Sequence, residues 1–259
     1  MTSNRPDTCC YKGFKHEGEA TGQMEQWGDF EVYVKYPENK STERAILFLT
    51  DVIGHRSINS QLLADQFAAN GYFVVMPDLF YGDAIELNQL GELDIPKWFG
   101  GGYSARGIGH DASIVDPIVE TCLSQMRLKH HCKKIGAVGY CFGAKYVVRF
   151  LRPDQAKIDV GYGAHPSQIA RDELQAIKGP FAIAAAAHDH VFPPEKRHER
   201  HPQNRPWFAF LAITCDDRNC QNLVGDALKA ISDKAWITTE ERSSAIGKMV
   251  DVIMEAPEE

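Results

Sequence analysis

Short apolar stretches recur along the chain at intervals that a helix can fill, and their internal pattern separates exposed strands from buried ones. Phe30-Glu31-Val32-Tyr33-Val34-Lys35 alternates and predicts a half-exposed edge strand, whereas Ala45-Ile46-Leu47-Phe48-Leu49-Thr50 is a continuous apolar run of the kind buried on both faces of a parallel sheet. From Ile58 to Asn70 the residues Leu62, Leu63, Phe67 and Ala68 gather near one helical face, and Gly71 ends the helix. A third strand follows at Tyr72 to Met76. Ser113 to Leu128 again has helical spacing, through Ile114, Ile118, Cys122 and Met126, with Pro117 tolerable only near the first turn. Lys134 to Tyr140 is apolar strand, the helix after it runs to about Leu151, and Val160 to Gly163, Gln168 to Ile177 and Phe181 to Ala185 read as strand, polar-faced helix and buried strand. This alternation predicts a doubly wound, mainly parallel α/β sheet with helices on both faces. Between Pro77 and Gly102 a glycine-rich stretch is predicted to lie outside the core, because loops of that length in compact domains are usually functional lids or disordered, and a lid is the reading for its glycines at 100–102. Past His198 the pattern weakens to one strand, Trp207 to Thr214, two helices, Leu223 to Ile231 and Ser243 to Ile253, and a frayed tail from Glu255.

With 259 residues and no Pro/Gly/Ser-rich linker, residues 1–259 are read as one α/β domain. The net charge of −7, with Lys and Arg scattered along the chain, gives no reason to expect a nucleic-acid partner. The first residues lack the apolar region of a signal peptide, and no apolar run approaches the ~20 residues of a membrane span. The expectation is a cytoplasmic protein without a membrane partner; no feature sets its oligomeric state. Seven cysteines, an odd number, argue for thiols in a reducing compartment. Cys9 and Cys10 are read as unpaired thiols without a role, and pairing of Cys215 with Cys220 is not expected.

The most specific feature is Gly139-Tyr140-Cys141-Phe142-Gly143, a Gly-x-Cys-x-Gly turn set between a strand and a helix. On a sharp strand-to-helix turn a nucleophile projects away from the sheet, flanking glycines relieve crowding, and the helix points its positive end at the side chain. The other reading of Cys141 is a buried structural cysteine in an ordinary βα turn. In an open parallel sheet the ligand crevice lies at the carboxyl ends of the strands, and four ends carry polar chemistry: Asp51, Asp78, Cys141 and Asp189. A cysteine nucleophile needs an imidazole, and the imidazole a carboxylate. Asp189 is either that orienting acid or a turn residue ahead of Pro193-Pro194.

The segment Lys134 to Leu151, together with Phe48 to Gly54, Val74 to Phe80 and Asp189-His190-Val191-Phe192-Pro193, resembles the dienelactone hydrolase family, chiefly its fungal branch, over about residues 8 to 199. The resemblance implies an α/β-hydrolase fold and a Cys-Asp-His triad acting on lactones or small carboxylic esters without metal or cofactor. Position by position it makes Cys141 the nucleophile and Asp189 the triad acid. It puts the oxyanion hole at the backbone N–H groups of Val52 and Phe142, and Asp51 where bacterial members place a glutamate against the resting thiol. An aromatic-catabolic step and a natural-product tailoring step both suit such an enzyme.

The family's histidine, in a His-Gly-Phe segment about thirty residues past the acid, is missing. Cys215-Asp216-Asp217-Arg218-Asn219-Cys220 occupies that neighbourhood, and no histidine follows His201. From about residue 200 the chain departs from the family pattern, as a divergent tail, a splice product or a shifted frame. His201 is the candidate substitute base, ahead of His188, His190 and His198. The alternative is a non-catalytic binding or regulatory protein that has lost turnover with its histidine. The His-x-His and His-x-x-His spacings lack the rest of a zinc motif, so no metal is expected, and the glycines at 100–102 and 107–109 lack the strand-turn-helix context of a phosphate loop. Arg106 and Arg149 are candidate contacts for a substrate anion.

Overall fold

The computed structural model describes residues 3–91, 93–152, 157–186, 191–192 and 208–213. Among them, eight strands form one sheet in the order β1-β2-β4-β3-β5-β6-β7-β8. These are β1 (Gln23–Trp27), β2 (Phe30–Lys35), β3 (Arg44–Leu49), β4 (Phe73–Pro77), β5 (Lys134–Tyr140), β6 (Val160–Ala164), β7 (Phe181–Ala186) and β8 (Phe208–Ile213). The helices are α1 (Ile58–Ala69), α2 (Ile95–Phe99), α3 (Ala112–Leu128), α4 (Phe142–Phe150) and α5 (Arg171–Ala176). β2 pairs antiparallel with both β1 and β4, and every other pairing is parallel.

Period-two alternation explains why the central runs are apolar throughout. Leu47 and Leu49 of β3 belong to one buried cluster, with Val115, Ile118 and Val119 of α3 and Tyr146 and Val147 of α4. Ile46 and Phe48 belong to the other, with Ala64, Phe67 and Ala68 of α1. A strand covered on both faces has no position at which a polar side chain stays hydrated, so both sets are apolar. From β3 the chain passes by α1 to β4 on one side, and from β5 by α4 to β6 on the other. Adjacent strands whose connections diverge leave a crevice at their carboxyl ends, which here is where Thr50-Asp51-Val52 and Cys141 stand.

Three expectations are corrected. β2 is not an edge, because β1 pairs with it from Gln23↔Val34 to Trp27↔Phe30 and buries Val32, Tyr33 and Val34. The stretch after β4 is not outside the core. Its Leu79, Phe80, Ile85 and Trp98 are buried, Asp78 accepts from Phe80 N–H (2.9 Å) and Gly82 N–H (2.7 Å), and α2 forms behind an Asp94 cap. Pro117 is the sixth residue of α3 rather than a first-turn residue, held because that helix buries Val115, Ile118, Val119, Cys122, Leu123 and Met126. The strand expected at 207–214 is present as β8. The helices expected at 223–231 and 243–253 and the tail lie outside the described residues. No helix among the described residues is long and apolar enough to cross a membrane.

Candidate active site

β5 ends at Tyr140 and α4 begins at Phe142, so the whole reversal falls on Cys141, at φ 46° and ψ −106°. A side chain with a Cβ rarely occupies positive φ, and such strain persists only where the surroundings hold it. They do so here: Cys141 N–H donates to Ala164 O (3.0 Å), and Cys141 O accepts from Ser167 N–H (3.1 Å) and Ala144 N–H (3.3 Å). The two flanking glycines answer to close approach. A Cβ on Gly139 would lie 2.6 Å from the Cα and N of Ala144, and one on Gly143 would lie 2.2 Å from Leu49 O. Gly143 N–H also donates to Thr50 O (3.0 Å), which ties α4 to the end of β3.

That tie sets the N-terminus of α4 beside the Asp51-Val52 turn. The Asp51 carboxylate accepts from Ile53 N–H (2.9 Å), and Ile85 N–H donates to Val52 O (2.8 Å), fixing the peptide beyond Val52 to the loop after β4. Neither Val52 N–H nor Phe142 N–H donates to another described group. Behind Phe142 stands an aromatic wall, with Phe80 at 4.9 Å, Tyr146 at 5.2 Å and Phe99 at 6.0 Å between ring centroids. Trp98 and His110 extend it at 4.5 Å from each other, and His110 Nε2 meets Asp83 Oδ2 at 2.8 Å. The Thr50 and Ser167 hydroxyls, on either side of Cys141, are buried without a hydrogen-bond partner among the described residues.

Cys141 itself is buried, at 1% exposure. Its Sγ meets Cys10 Sγ at 3.2 Å. Burial pushes the Asp51 carboxyl above the ordinary aspartate range, against the pull of the Ile53 N–H and of His165. His165 follows β6 at φ 36°, a second strained residue beside the elbow, with its ring centroid 6.2 Å from that of Tyr140.

A family model, that of the dienelactone hydrolase family, matches residues 30–204. The chain belongs to the dienelactone hydrolase family. It is 60% identical over 198 residues to hydrolase tropI of Talaromyces stipitatus, covering 76% of this chain and 77% of that one. It is 51% identical over 199 residues to hydrolase pyvD of Aspergillus violaceofuscus, covering 77% of each. The fold superposes on the crystal structure of dienelactone hydrolase from Anabaena variabilis with a TM-score of 0.62 at 11% identity, over 84% of this chain and 99% of that one. The protein is a hydrolase of ester or lactone bonds on an α/β-hydrolase fold.

For a dienelactone hydrolase, the sequence-derived site is partly assembled. Cys141, Asp51 and the Val52 and Phe142 peptides meet at the ends of β3 and β5; Asp189 and His201, with His188, His190 and His198, lie outside the described residues. Asp78 serves its own loop. Arg149 is not free for a substrate anion, because it is paired with Asp116 and with Glu173 (2.8 Å), and Arg106 leans on Asp29 at 3.4 Å. Among the described residues no group of three His, Cys, Asp or Glu side chains is placed to hold a metal ion. Two neighbours of the elbow escaped sequence reasoning. His165 gives no local signal beyond standing at a strand end, and the contact of Cys10 with Cys141 spans 131 residues of chain.

Proposed function

We propose that Cys141 is the nucleophile of this hydrolase and that its substrate is a lactone or a small carboxylic ester. The sulfur attacks the carbonyl carbon, and the developing oxyanion is received by the N–H groups of Val52 and Phe142, aimed from the β3 turn and the first turn of α4. The alkoxide then leaves, remaining tethered when the substrate is a lactone, and water releases the acid from the thioester. Asp189 is assigned to orient the base and His201 to replace the family's histidine.

The observation that carries this reading is the backbone of Cys141: a cysteine held at φ 46°, ψ −106° by three hydrogen bonds, with two N–H groups on adjoining turns that donate to no other described group. A structural cysteine needs none of this.

Rapid mixing with an activated aryl ester tests it. Acylation through the thiol followed by slow deacylation gives a burst of one product per Cys141 and then a slower steady state, both absent from Cys141→Ala. Equal rates in wild type and Cys141→Ala would remove Cys141 from the chemistry, and a wild type with neither burst nor turnover would mark a binding protein.

A further inference from the structure

The segment from Ser3 to Tyr11 is built into the site. Ser3 is fully buried, donates its N–H to Ile169 O (3.2 Å) and accepts from Ile169 N–H through its hydroxyl (2.8 Å). Asn4 N–H donates to Val191 O (2.6 Å), and Asn4 O accepts from Gln168 N–H (2.7 Å). The far end is held as firmly: Tyr11 is 1% exposed, and its carbonyl accepts from Asn88 N–H at 2.7 Å. Between these anchors the Arg5 guanidinium lies over the Phe99 ring at 5.7 Å, and Cys10 N–H donates to Asp7 O at 2.8 Å in the 3-10 turn Thr8–Tyr11. The segment therefore crosses from the turns after β6 and β7 to the loop after β4, passing over the elbow, and it sets Cys10 Sγ 3.2 Å from Cys141 Sγ.

We propose that Cys10 and Cys141 are a reversible oxidation site in which Cys10 is the resolving thiol. This rests on the reading of Cys141 as the reactive sulfur and adds a regulation to it. In the first step the Cys141 thiolate attacks hydrogen peroxide; the O–O bond breaks, hydroxide leaves, and Cys141 becomes a sulfenic acid. In the second the Cys10 sulfur attacks Cys141 Sγ, the S–S bond forms, the S–O bond breaks and a second hydroxide leaves. The two thiol protons end in two molecules of water, and the two electrons given up by the sulfurs reduce the peroxide. Closure brings the sulfurs from 3.2 Å to a bond of about 2.05 Å. While the bond stands the nucleophile is capped and hydrolysis stops, and because the resolving sulfur is already in contact, condensation outruns further oxidation to sulfinic acid. The buried thiols remote from the elbow do not compete. Burial raises the pKa of Cys122 far above the ordinary thiol value and pushes that of Cys132 up to about 11.

The test uses the full chain, reduced, exposed briefly to hydrogen peroxide, alkylated and digested with trypsin without reduction. The expected product is peptide 1–12 joined to peptide 135–145, lighter than their sum by two hydrogen atoms, with fragmentation placing the bond on Cys10 rather than Cys9. The link should persist in Cys9→Ser and vanish in Cys10→Ser, whose Cys141 should run on to sulfinic and sulfonic acid. In parallel, ester hydrolysis by oxidised wild type should be lost and return with dithiothreitol, while oxidised Cys10→Ser should stay inactive. Fragment assignment in the wild type stands even if Cys10→Ser fails to fold. A wild type that carries Cys141 to sulfinic acid without forming the link, or that links through Cys9, overturns the proposal. A wild type that links normally while Cys141→Ala still hydrolyses ester would instead sink the nucleophile reading and leave the thiol pair standing.

Discussion

Gly143→Ala measures how tightly the elbow is built. The new methyl would sit 2.2 Å from Leu49 O, 2.5 Å from Leu49 C and 2.7 Å from Thr50 O, all backbone atoms of a central strand and its turn. To regain an ordinary 3.4 Å contact with Leu49 O, α4 and the end of β3 must separate by about 1.2 Å, which also stretches the 3.0 Å bond from Gly143 N–H to Thr50 O. Overpacking against backbone belongs at the upper end of its usual range, about 3 kcal/mol. The weakened hydrogen bond adds about 1 kcal/mol, and the better helix propensity of alanine offsets about 1 kcal/mol. The net cost is about 3 kcal/mol, which lowers Tm by roughly 6–12 °C in a domain of this size. Urea unfolding of wild type, Gly143→Ala and Gly163→Ala gives the comparison. At Gly163 the new methyl meets only side chains, Phe181 Cζ at 3.2 Å and Ala144 Cβ at 3.3 Å, so its cost should stay near or below about 1 kcal/mol. A Gly143→Ala protein within about 0.5 kcal/mol of wild type would refute the close approach on which the elbow geometry depends.

Glu173 is buried and accepts from Lys145 Nζ with both oxygens (2.9 Å each), from Arg149 Nη1 (2.8 Å) and from Ala170 N–H (2.8 Å), and these bonds outweigh its burial and hold its pKa below the ordinary glutamate value. Glu173→Gln leaves two cations facing each other without that charge and should cost about 3 kcal/mol in urea unfolding; a loss under about 1 kcal/mol would contradict it. Burial holds the imidazoles of His55, His110 and His130 below the ordinary histidine pKa, against the nearby carboxylates of Asp78, Asp83 and Glu25 respectively. Between that folded pKa and the unfolded value of about 6.5 the unfolded chain binds more protons, so stability is complete above about pH 6.5 and falls with acidification through this window. Calorimetry should find Tm falling as the pH drops below about 6.5, before the lowered carboxylates Glu31, Asp159 and Glu173 lose their contribution below about pH 4.5; the raised Asp51 carboxyl acts with the opposite sign, so a flat Tm in Asp51→Asn would count against neutral buried histidines. If His201 serves as base, His201→Ala should lower kcat by about 10²- to 10⁴-fold with His198→Ala near wild type, and equal rates in the two variants would remove it.

The frame of the fold was legible because strands buried on both faces admit only apolar residues. The runs at 45–50, 72–76 and 134–140 could hardly be anything else, and the Gly-x-Cys-x-Gly turn between strand and helix pointed directly to the elbow. The departures came from interactions that local pattern does not encode. β1, Gln-Met-Glu-Gln-Trp, is mostly exposed, so its polar sequence carries no strand signal and leaves β2 to read as the edge. The stretch after β4 reads as a lid because its glycines and irregular spacing give no helix or strand period; Phe80 and Trp98 bury themselves against Phe142 only when the chain has folded. Cys10 reads as a thiol without a role because it stands beside Cys9 near a terminus expected to be loose, whereas its contact belongs to a residue on another element. Arg149 is no anion contact for the same reason, its carboxylate partners Asp116 and Glu173 being far away in the chain.

The most direct test of Cys141 as nucleophile is the position of the acyl group during turnover. Reduced protein mixed with p-nitrophenyl acetate and quenched in acid within the burst should carry one acetyl group, located by fragmentation on Cys141 in the tryptic peptide 135–145 and absent from Cys141→Ala. Product release without any acyl adduct, or an adduct on another side chain with turnover intact in Cys141→Ala, would contradict the assignment.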